Sequence, residues 1–519
     1  MQHNNFGDLI WRAVSLFPER VAIEQGDLTL TYGELEERTQ KTARLLSGLD
    51  VGKGTRVLLF LPNDYRFVEA LLGVLRTGAE VVPVNIKLGV EALTFIANHS
   101  EATVLIGHVD LLEKITTVQA GSPYLKHVLI IGGEAPGYLA YDALLDQTQP
   151  GWETVDVGLG DVALVMYTSG STGPPKGCLL SHANKWWQAR SSARTFYLDE
   201  WDKALITGPL YHANALWSGM LPMLFVGGGM AILPGFDAVA VLEAIDRYRP
   251  TYTSGTPSMF TLLLAQREVL ARVDVSSINY LCCGSAPVPE ELIRALHEKF
   301  GCEVIESYGL TEGGANVVAP RWGIKKLGST GLPVPGVKLR IVDLEDSSRE
   351  CPPGVIGELW SMCPANAIGY LKQPEVTAQK FTADGWLKTG DLVKADEQGY
   401  IYFCGRKDDM INVGGENVYP KEVETVLLAH PEIDDVCVVS VNHKVKGQAP
   451  VAWVVLSRPG ALTEDVIKQF FLENGPAYAH PRRVFFLDRL PVSGTNKLDR
   501  KFLEEEARRL MPDGIGGGA

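Results

Sequence analysis

Val57-Leu58-Leu59-Phe60-Leu61, then Phe67 to Leu75, then Val81-Val82-Pro83-Val84: these three runs decide the fold class. The first and third are short and apolar at nearly every position, so neither has a polar face to offer water. Strands of that kind are covered on both sides. The middle run is apolar at helical spacing and is long enough to carry the chain back for a parallel neighbour. The same alternation continues outward. Val104-Leu105-Ile106, Val128-Leu129-Ile130-Ile131 and Val162 to Tyr167 read as further strands. Toward the N-terminus, Val21-Ala22-Ile23-Glu24 and Leu28-Thr29-Leu30-Thr31 read as a hairpin across Gly26. Thr31 is placed to cap a helix that starts at Tyr32, and residues 8–18 carry Leu9, Ile10, Ala13 and Leu16 at helical spacing. The expected class is α/β with doubly wound parallel sheets.

Composition narrows the function. With 519 residues the chain exceeds one small core, and 46% apolar with 21% charged residues is ordinary for a globular protein. The net charge of −14 argues against nucleic acid as a partner. Eight cysteines without a CxxC pair do not form a disulfide framework, so reduced thiols are expected. No apolar run approaches the ~18 residues that cross a bilayer, and no basic-then-apolar leader opens the sequence. A cytoplasmic enzyme without integral membrane association is expected.

The chemistry begins at Tyr167-Thr168-Ser169-Gly170-Ser171-Thr172-Gly173-Pro174-Pro175-Lys176-Gly177. Its glycines let backbone N–H groups approach an anion, its hydroxyls add donors, and Lys176 adds positive charge. That is a phosphate cradle. It is not a Walker loop, which ends Gly-Lys-Ser/Thr. A solvated Ser/Gly linker is the alternative, but a linker needs neither the strand before it nor the apolar Cys178-Leu179-Leu180 after it.

Further on, a helix rich in Trp and Arg spans Asn184 to Phe196, and a strand-like run leads into Tyr211-His212-Ala213-Asn214-Ala215-Leu216-Trp217. His212 alone reads more readily as a satisfied core histidine than as a functional one. Thr253-Ser254-Gly255-Thr256-Pro257 and Gly284-Ser285-Ala286 follow strands, and small residues at strand ends in an open α/β sheet are where ligands sit. Glu306-Ser307-Tyr308-Gly309-Leu310-Thr311-Glu312-Gly313-Gly314 gathers an aromatic face, hydroxyls and two carboxylates. A carboxylate near a phosphate cradle suggests Mg²⁺, which needs only one or two such ligands. From Gly328 the sequence turns to short strands, including Thr389-Gly390-Asp391 and the run to Arg406. A polar break at Lys407-Asp408-Asp409 precedes a small α+β region that ends near Lys497.

Taken together and in this order, the cradle from Thr168 to Gly177, Tyr308-Gly309-Leu310-Thr311-Glu312, Thr389-Gly390-Asp391, Gly405-Arg406-Lys407-Asp408-Asp409 and Lys497 resemble the adenylate-forming superfamily. That superfamily includes acyl-CoA synthetases, peptide-synthetase adenylation domains and firefly luciferase. The resemblance covers nearly the whole chain. It implies a large N-terminal domain of stacked α/β sheets plus a β-rich subdomain (1–407) and a small mobile α+β C-terminal domain (408–519). It also implies two half-reactions. A carboxylate attacks the α-phosphate of ATP to give acyl-AMP and pyrophosphate, and a thiol then takes the acyl group and releases AMP.

Residue roles follow from the same resemblance. Thr168, Ser169, Gly170, Ser171, Thr172, Gly173 and Lys176 would hold the β,γ-phosphates. Glu312 and Thr172 would hold Mg²⁺. Gly284, Ser285, Ala286 and Tyr308 would flank adenine, with Tyr308 stacking, and Glu306, Ser307 and Gly309 would belong to the same ATP/AMP site. Thr311 would bond the α-phosphate, Asp391 and Arg406 the ribose, and Lys497 would bridge the attacking carboxylate and the phosphate. Gly414, Gly415 and Glu416 would line the CoA path, and Asp408 would be the hinge. Two departures stand out: Asn496 replaces the usual Gly before Lys497, leaving Lys501 as an alternative, and Asn417 replaces a basic residue some relatives carry.

The acyl wall expected by analogy is His212, Ala213, Asn214, Trp217, Gly309 and Gly314. It has no acid to hold an ammonium group, and no cation for a dicarboxylate is apparent in it. An apolar aryl or medium-chain acid is expected, transferred to CoA. The alternative is loading of a carrier protein's phosphopantetheine in trans. A homodimer is a further expectation.

Overall fold

A computed structural model describes residues 3–168, 174–286, 288–320, 323–492, 498–512 and 514–516. By compactness the chain forms two units, 1–339 with 361–388 and 340–360 with 389–519.

The first unit carries two large sheets among the described residues. One runs, in spatial order, Gly369–Tyr370, Lys176–Ser181, Val162–Thr168, Glu80–Pro83, Arg56–Phe60, Val104–His108, His127–Ile131 and Leu139–Ala140. It is parallel except where Lys176–Ser181 pairs antiparallel with both its neighbours. The other runs Leu332–Pro333, Gly314–Val318, Glu303–Leu310, Tyr280–Gly284, Tyr252–Gly255, Lys203–Ile206, Gly229–Ile232, Val21–Gln25 and Leu28–Thr31. Its centre is parallel and both edges are antiparallel.

Strand alternation accounts for the apolar runs. Val57 and Leu59 enter one core cluster, while Leu58 and Phe60 enter another on the opposite face. Cys282 and Cys283 separate in the same way, so these adjacent thiols point to different cores and both remain free. The helix Tyr65–Arg76 is buried from Phe67 to Arg76, because both sheets contribute to the cluster around it. The hairpin across Gly26 forms as expected, with Gly26 at φ +60°. Thr31 caps Tyr32–Ser47 through a capping box with Glu34. The expected helix over 8–18 is broken: a 3₁₀ turn covers Phe6–Asp8 and the α-helix covers only Trp11–Leu16.

The second unit holds the strand pair Leu387–Ala395 and Ile401–Arg406 from Thr389 onward, and a sheet of Glu416–Val418, Ile411–Val413, Gly447–Leu456, Ile433–His443 and Val484–Phe486. The helices Pro420–Leu428 and Glu464–Asn474 pack on one face of that sheet, and Arg500–Leu510 on the other. Compactness thus groups the short strands before Lys407 with the C-terminal region, whereas the reading 1–407 and 408–519 divides the chain at the polar break.

Candidate active site

In the first unit, Val162–Thr168 and Lys176–Ser181 form an antiparallel hairpin whose register sets Thr168 opposite Lys176. The strands that flank the cradle are therefore antiparallel neighbours, rather than a strand followed by a helix. Ser169, Gly170, Ser171, Thr172 and Gly173 lie outside the described residues.

The acidic motif is a hairpin tip. Glu303–Leu310 turns through Thr311, Glu312 and Gly313 into Gly314–Val318, with Leu310 opposite Gly314 and the Gly313 N–H donating to the Leu310 carbonyl at 3.1 Å. Gly314, the first residue after the loop, sits at φ +71°, a conformation glycine adopts at no steric cost. A Cβ there would also lie 2.5 Å from Gln188 Nε2.

One side chain lies between the two hairpins. The Tyr370 hydroxyl donates to Glu312 Oε1 at 2.7 Å, and the Lys176 ammonium lies 5.9 Å from the Tyr370 ring centre. Tyr370 belongs to the short strand paired with Lys176–Ser181, facing Cys178. Its role was invisible in the sequence because it lies far along the chain from both motifs. Among the described residues no group of three or more His, Cys, Asp or Glu could hold a metal. Glu312 still suits Mg²⁺, being an oxygen ligand on a turn and held by the Tyr370 hydroxyl, and Mg²⁺ takes most of its ligands from phosphate and water.

The nucleotide-side residues come together on neighbouring strands. Gly284 pairs with Ser307, and a Cβ at Gly284 would meet the Ser307 carbonyl at 2.5 Å, so only glycine fits. Ser285 follows at φ +67°. Tyr308 pairs with Val317, and a register shift between Tyr308 and Gly309 bends the strand just before the turn. Glu306 accepts the Ala319 N–H on its backbone carbonyl at 2.8 Å.

Asn214 ties this side to the acyl wall. Its Nδ2 donates to Ser285 Oγ at 3.3 Å, and its Oδ1 accepts from Ser254 Oγ at 3.0 Å. His212 caps the turn Ala213–Ala215, its Nδ1 accepting the Asn214 N–H at 3.3 Å. Buried Asn63 holds the approach to that turn, donating to the Gly208 carbonyl at 2.7 Å and accepting the Leu210 N–H at 2.8 Å. Trp217 sits in a π-helical turn, Leu216–Met220, ahead of Pro222. Proline cannot donate to the carbonyl four residues back and its ring crowds it, so the wider turn relieves the clash.

A cation that the sequence did not suggest lies beside Trp217, one of the residues expected to line the acyl group. Lys185, on the helix His182–Thr195, is 1% exposed, and its ammonium lies 4.9 Å from the Trp217 ring centre. It donates to Gln188 Oε1 at 2.6 Å. Burial pulls it down to about 7, opposed in part by the Cys178 thiol. The segment around Trp217 gave no hint of this, because the lysine comes from a helix that precedes it in the chain.

In the second unit, Asp391 and Arg406 face each other in register and form an ion pair at 3.0 Å. Asp391 is buried, and its N–H donates to Thr389 Oγ1 at 3.0 Å, whose own O–H donates to the Leu359 carbonyl at 2.6 Å. Gly414 (φ +65°) and Gly415 (φ +98°) form the two-residue turn between Ile411–Val413 and Glu416–Val418, with Val413 opposite Glu416. Positive φ at both positions is the type I′ hairpin, which glycine permits at no steric cost. Glu416, Asn417 and Asp408 are exposed. Lys497 lies outside the described residues. Its neighbour Arg500 is held by Glu424 at 2.7 Å, while Lys501 lies on the exposed face of Arg500–Leu510, 4.0 Å from Glu505.

Two hairpins joined through a tyrosine, small residues at the ends of parallel strands and an acid–arginine pair in the second unit define a nucleotide-dependent enzyme of α/β class. The comparisons give the family. The AMP-binding enzyme family matches residues 10–371, and the AMP-binding enzyme C-terminal domain matches residues 422–497. A feruloyl-CoA synthase of Amycolatopsis sp is 34% identical over 511 residues, 98% of this chain and 99% of that protein. A 2-succinylbenzoate–CoA ligase of Bacillus licheniformis is 33% identical over 502 residues, 96% of this chain and 99% of that protein. The crystal structure of the anthranilate CoA ligase AuaEII in complex with anthranoyl-AMP is similar at TM-score 0.90 and 28% identity, covering 98% of each chain. The chain belongs to the AMP-binding enzyme family. Within it, the chain is an AMP-forming acyl-CoA synthetase that uses ATP and CoA.

Proposed function

We propose that this enzyme activates an apolar aryl or medium-chain carboxylate as acyl-AMP and passes it to CoA. The supporting observation is the link through Tyr370 between the cradle hairpin and the Glu312 turn, which joins phosphate-binding and acidic groups in one place. Thr168 and Lys176 hold the leaving phosphates, with Ser169, Gly170, Ser171, Thr172 and Gly173 between them. Glu312 and Thr172 would hold Mg²⁺, which when bound neutralises phosphate charge. Thr311 bonds the α-phosphate. Gly284, Ser285, Ala286 and Tyr308 receive adenine, with Tyr308 as the stacking face, and Glu306, Ser307 and Gly309 belong to the same ATP/AMP site. Asp391 accepts from the ribose hydroxyls, assisted by Arg406. His212, Ala213, Asn214, Trp217, Gly309 and Gly314 line the acyl group. Lys497 bridges carboxylate and phosphate, whose mutual repulsion is the main barrier. Gly414, Gly415 and Glu416 face CoA. The C-terminal domain begins at Asp408, which acts as the hinge. Described cysteines that are all free thiols support a cytoplasmic location. A homodimer is part of the proposal and is checked by light scattering.

A pyrophosphate-release screen over carboxylic acids, with and without CoA, tests the activity. Thioester formation from aryl or medium-chain acids is the expected result; transfer only to a phosphopantetheinyl protein would overturn the CoA assignment. Lys497→Ala is expected to abolish adenylation and spare thioesterification of preformed acyl-AMP, with Lys501→Ala normal in both. Asp408→Pro, which fixes φ near −65° by about 15° either way, is expected to retain acyl-AMP formation and lose most of the CoA-dependent step. Equal loss of both steps would place the hinge elsewhere.

A further inference from the structure

The acyl wall contains more hydrogen-bond donors than an apolar substrate can use. Lys185 is buried in a helix whose other buried residues include Gln188, Ala189 and Ser192. Its ammonium carries three protons and makes one hydrogen bond among the described residues, to Gln188 Oε1. That bond turns the Gln188 amide so that its Nε2 lies 2.5 Å from the place a Gly314 Cβ would occupy. Gln188 Nε2 is buried and has no hydrogen-bond partner among the described residues. Trp217, whose ring takes the ammonium on its face, has a buried Nε1–H that is likewise unpartnered. The ammonium thus lies over the Trp217 ring and the amide beside Gly314, the buried Trp217 N–H adds a third donor, and the Gln188 oxygen is the one acceptor they have among the described residues.

Buried donors left without acceptors are costly, and a buried lysine without a carboxylate is more so. A fold that needed only apolar packing here would be better served by leucine or methionine at 185. The arrangement is what a site needs when the missing acceptor arrives with a ligand. Depression of the lysine to about 7 by burial fits a group whose proton becomes secure once an oxygen partner is bound.

We propose that Lys185, with Gln188 and Trp217 Nε1, forms a polar subsite in the acyl pocket that recognises an oxygen acceptor on the substrate, remote from the carboxylate that is activated. The inference rests on the acid–CoA ligase reading and narrows its substrate class from plain apolar acids to acids bearing a second oxygen function. A ring hydroxyl and a second carboxylate share this chemistry, and the test separates them. Lys185 is a specificity residue in this proposal and takes no part in adenyl transfer.

The test uses the full-length enzyme with ATP, magnesium and CoA, and compares kcat/KM for benzoate and cinnamate with that for their ring-hydroxylated and ring-carboxylated derivatives. The expected result is at least a tenfold preference for the best oxygen-bearing acid over its plain parent. Lys185→Met should shrink that ratio to within about threefold, since the charged donor is gone and with it the bond that orients the Gln188 amide. Preference for hydroxylated acids identifies a phenolic ligand, and preference for carboxylated acids identifies a dianion; either supports the subsite. Trp217→Phe, which keeps the aromatic face and removes one donor, should lower the ratio by a smaller factor and serves if Lys185→Met does not fold. A wild-type enzyme that prefers the plain acids, or a ratio that Lys185→Met leaves unchanged, overturns the proposal while the ligase reading stands. Absence of thioester from every acid would overturn both.

Discussion

Glu69 and Lys185 are both charged, both buried in the first unit, and both on helices inside its main core. Their surroundings differ. Glu69 accepts from the Arg38 guanidinium and from the Tyr141 hydroxyl at 2.6 Å; Thr42 bonds Tyr141 at 2.7 Å and reaches Glu69 at 3.4 Å. Burial pushes the Glu69 carboxyl up, and the nearby Arg38 charge opposes that. Its lone pairs are taken by the protein itself, so the network is closed and joins Tyr32–Ser47, Tyr65–Arg76 and Tyr141–Gln147. Lys185 has one amide oxygen and a ring face. A saturated buried charge binds the fold together; an unsaturated one stores binding capacity at the expense of stability.

The largest effect expected is at Glu69. Glu69→Ala leaves Arg38 and Tyr141 without their acceptor and should cost about 3–5 kcal/mol in urea unfolding, with Glu69→Gln losing less. A loss below roughly 1 kcal/mol would mean that the network is no more than a surface-type pair, and the contrast with Lys185 would fail.

Lys185→Met should act in the opposite direction. Free lysine titrates near 10.5 and the folded group near 7. Between those values the unfolded chain binds a proton that the folded chain lacks, so wild-type stability rises with pH across pH 7 to 10.5. Below the folded value both states are protonated and the burial cost is felt in full. The methionine variant should lose that rise and gain about 2 kcal/mol at pH 6–7, in the range found when buried charges give way to apolar groups. Unfolding midpoints at several pH values decide this, and a destabilised variant would show that Lys185 is structural after all.

Glu312 resembles Lys185 in this respect, since among the described residues its side chain has one donor, Tyr370. Glu312→Gln should raise the magnesium requirement for adenylation sharply. The smallest effect is expected from Tyr370→Phe, which removes one hydrogen bond worth about 1 kcal/mol and should lower adenylation by roughly fivefold without altering stability much. An unchanged magnesium titration in Glu312→Gln would place Glu312 with Glu69, as a structural acid.

Much of the fold was legible because the signals are local. Alternating apolar strands and amphipathic helices reveal themselves within a few residues, and so do the hairpin across Gly26 and the capping box at Thr31 and Glu34. The failures are local as well. Residues 8–18 carry helical spacing, yet the chain breaks into a 3₁₀ turn and a short helix, because Asn5 caps the first turn and fixes where it starts. The π-turn that carries Trp217 depends on Pro222, a residue whose effect on the preceding turn is felt only once the helix is formed.

By itself the sequence determined the α/β class, the order of the nucleotide motifs and the family to which they belong, since each motif is a contiguous stretch whose chemistry can be read in place. Only the tertiary structure decided that the strands flanking the cradle pair with each other, that Tyr370 lies between Lys176 and Glu312, that Asn214 bridges Ser254 and Ser285, and that Lys185 meets both Gln188 and Trp217. Those contacts join residues far apart in the chain. Their existence depends on sheet register and helix packing, which are properties of the whole core, and no window of sequence contains them.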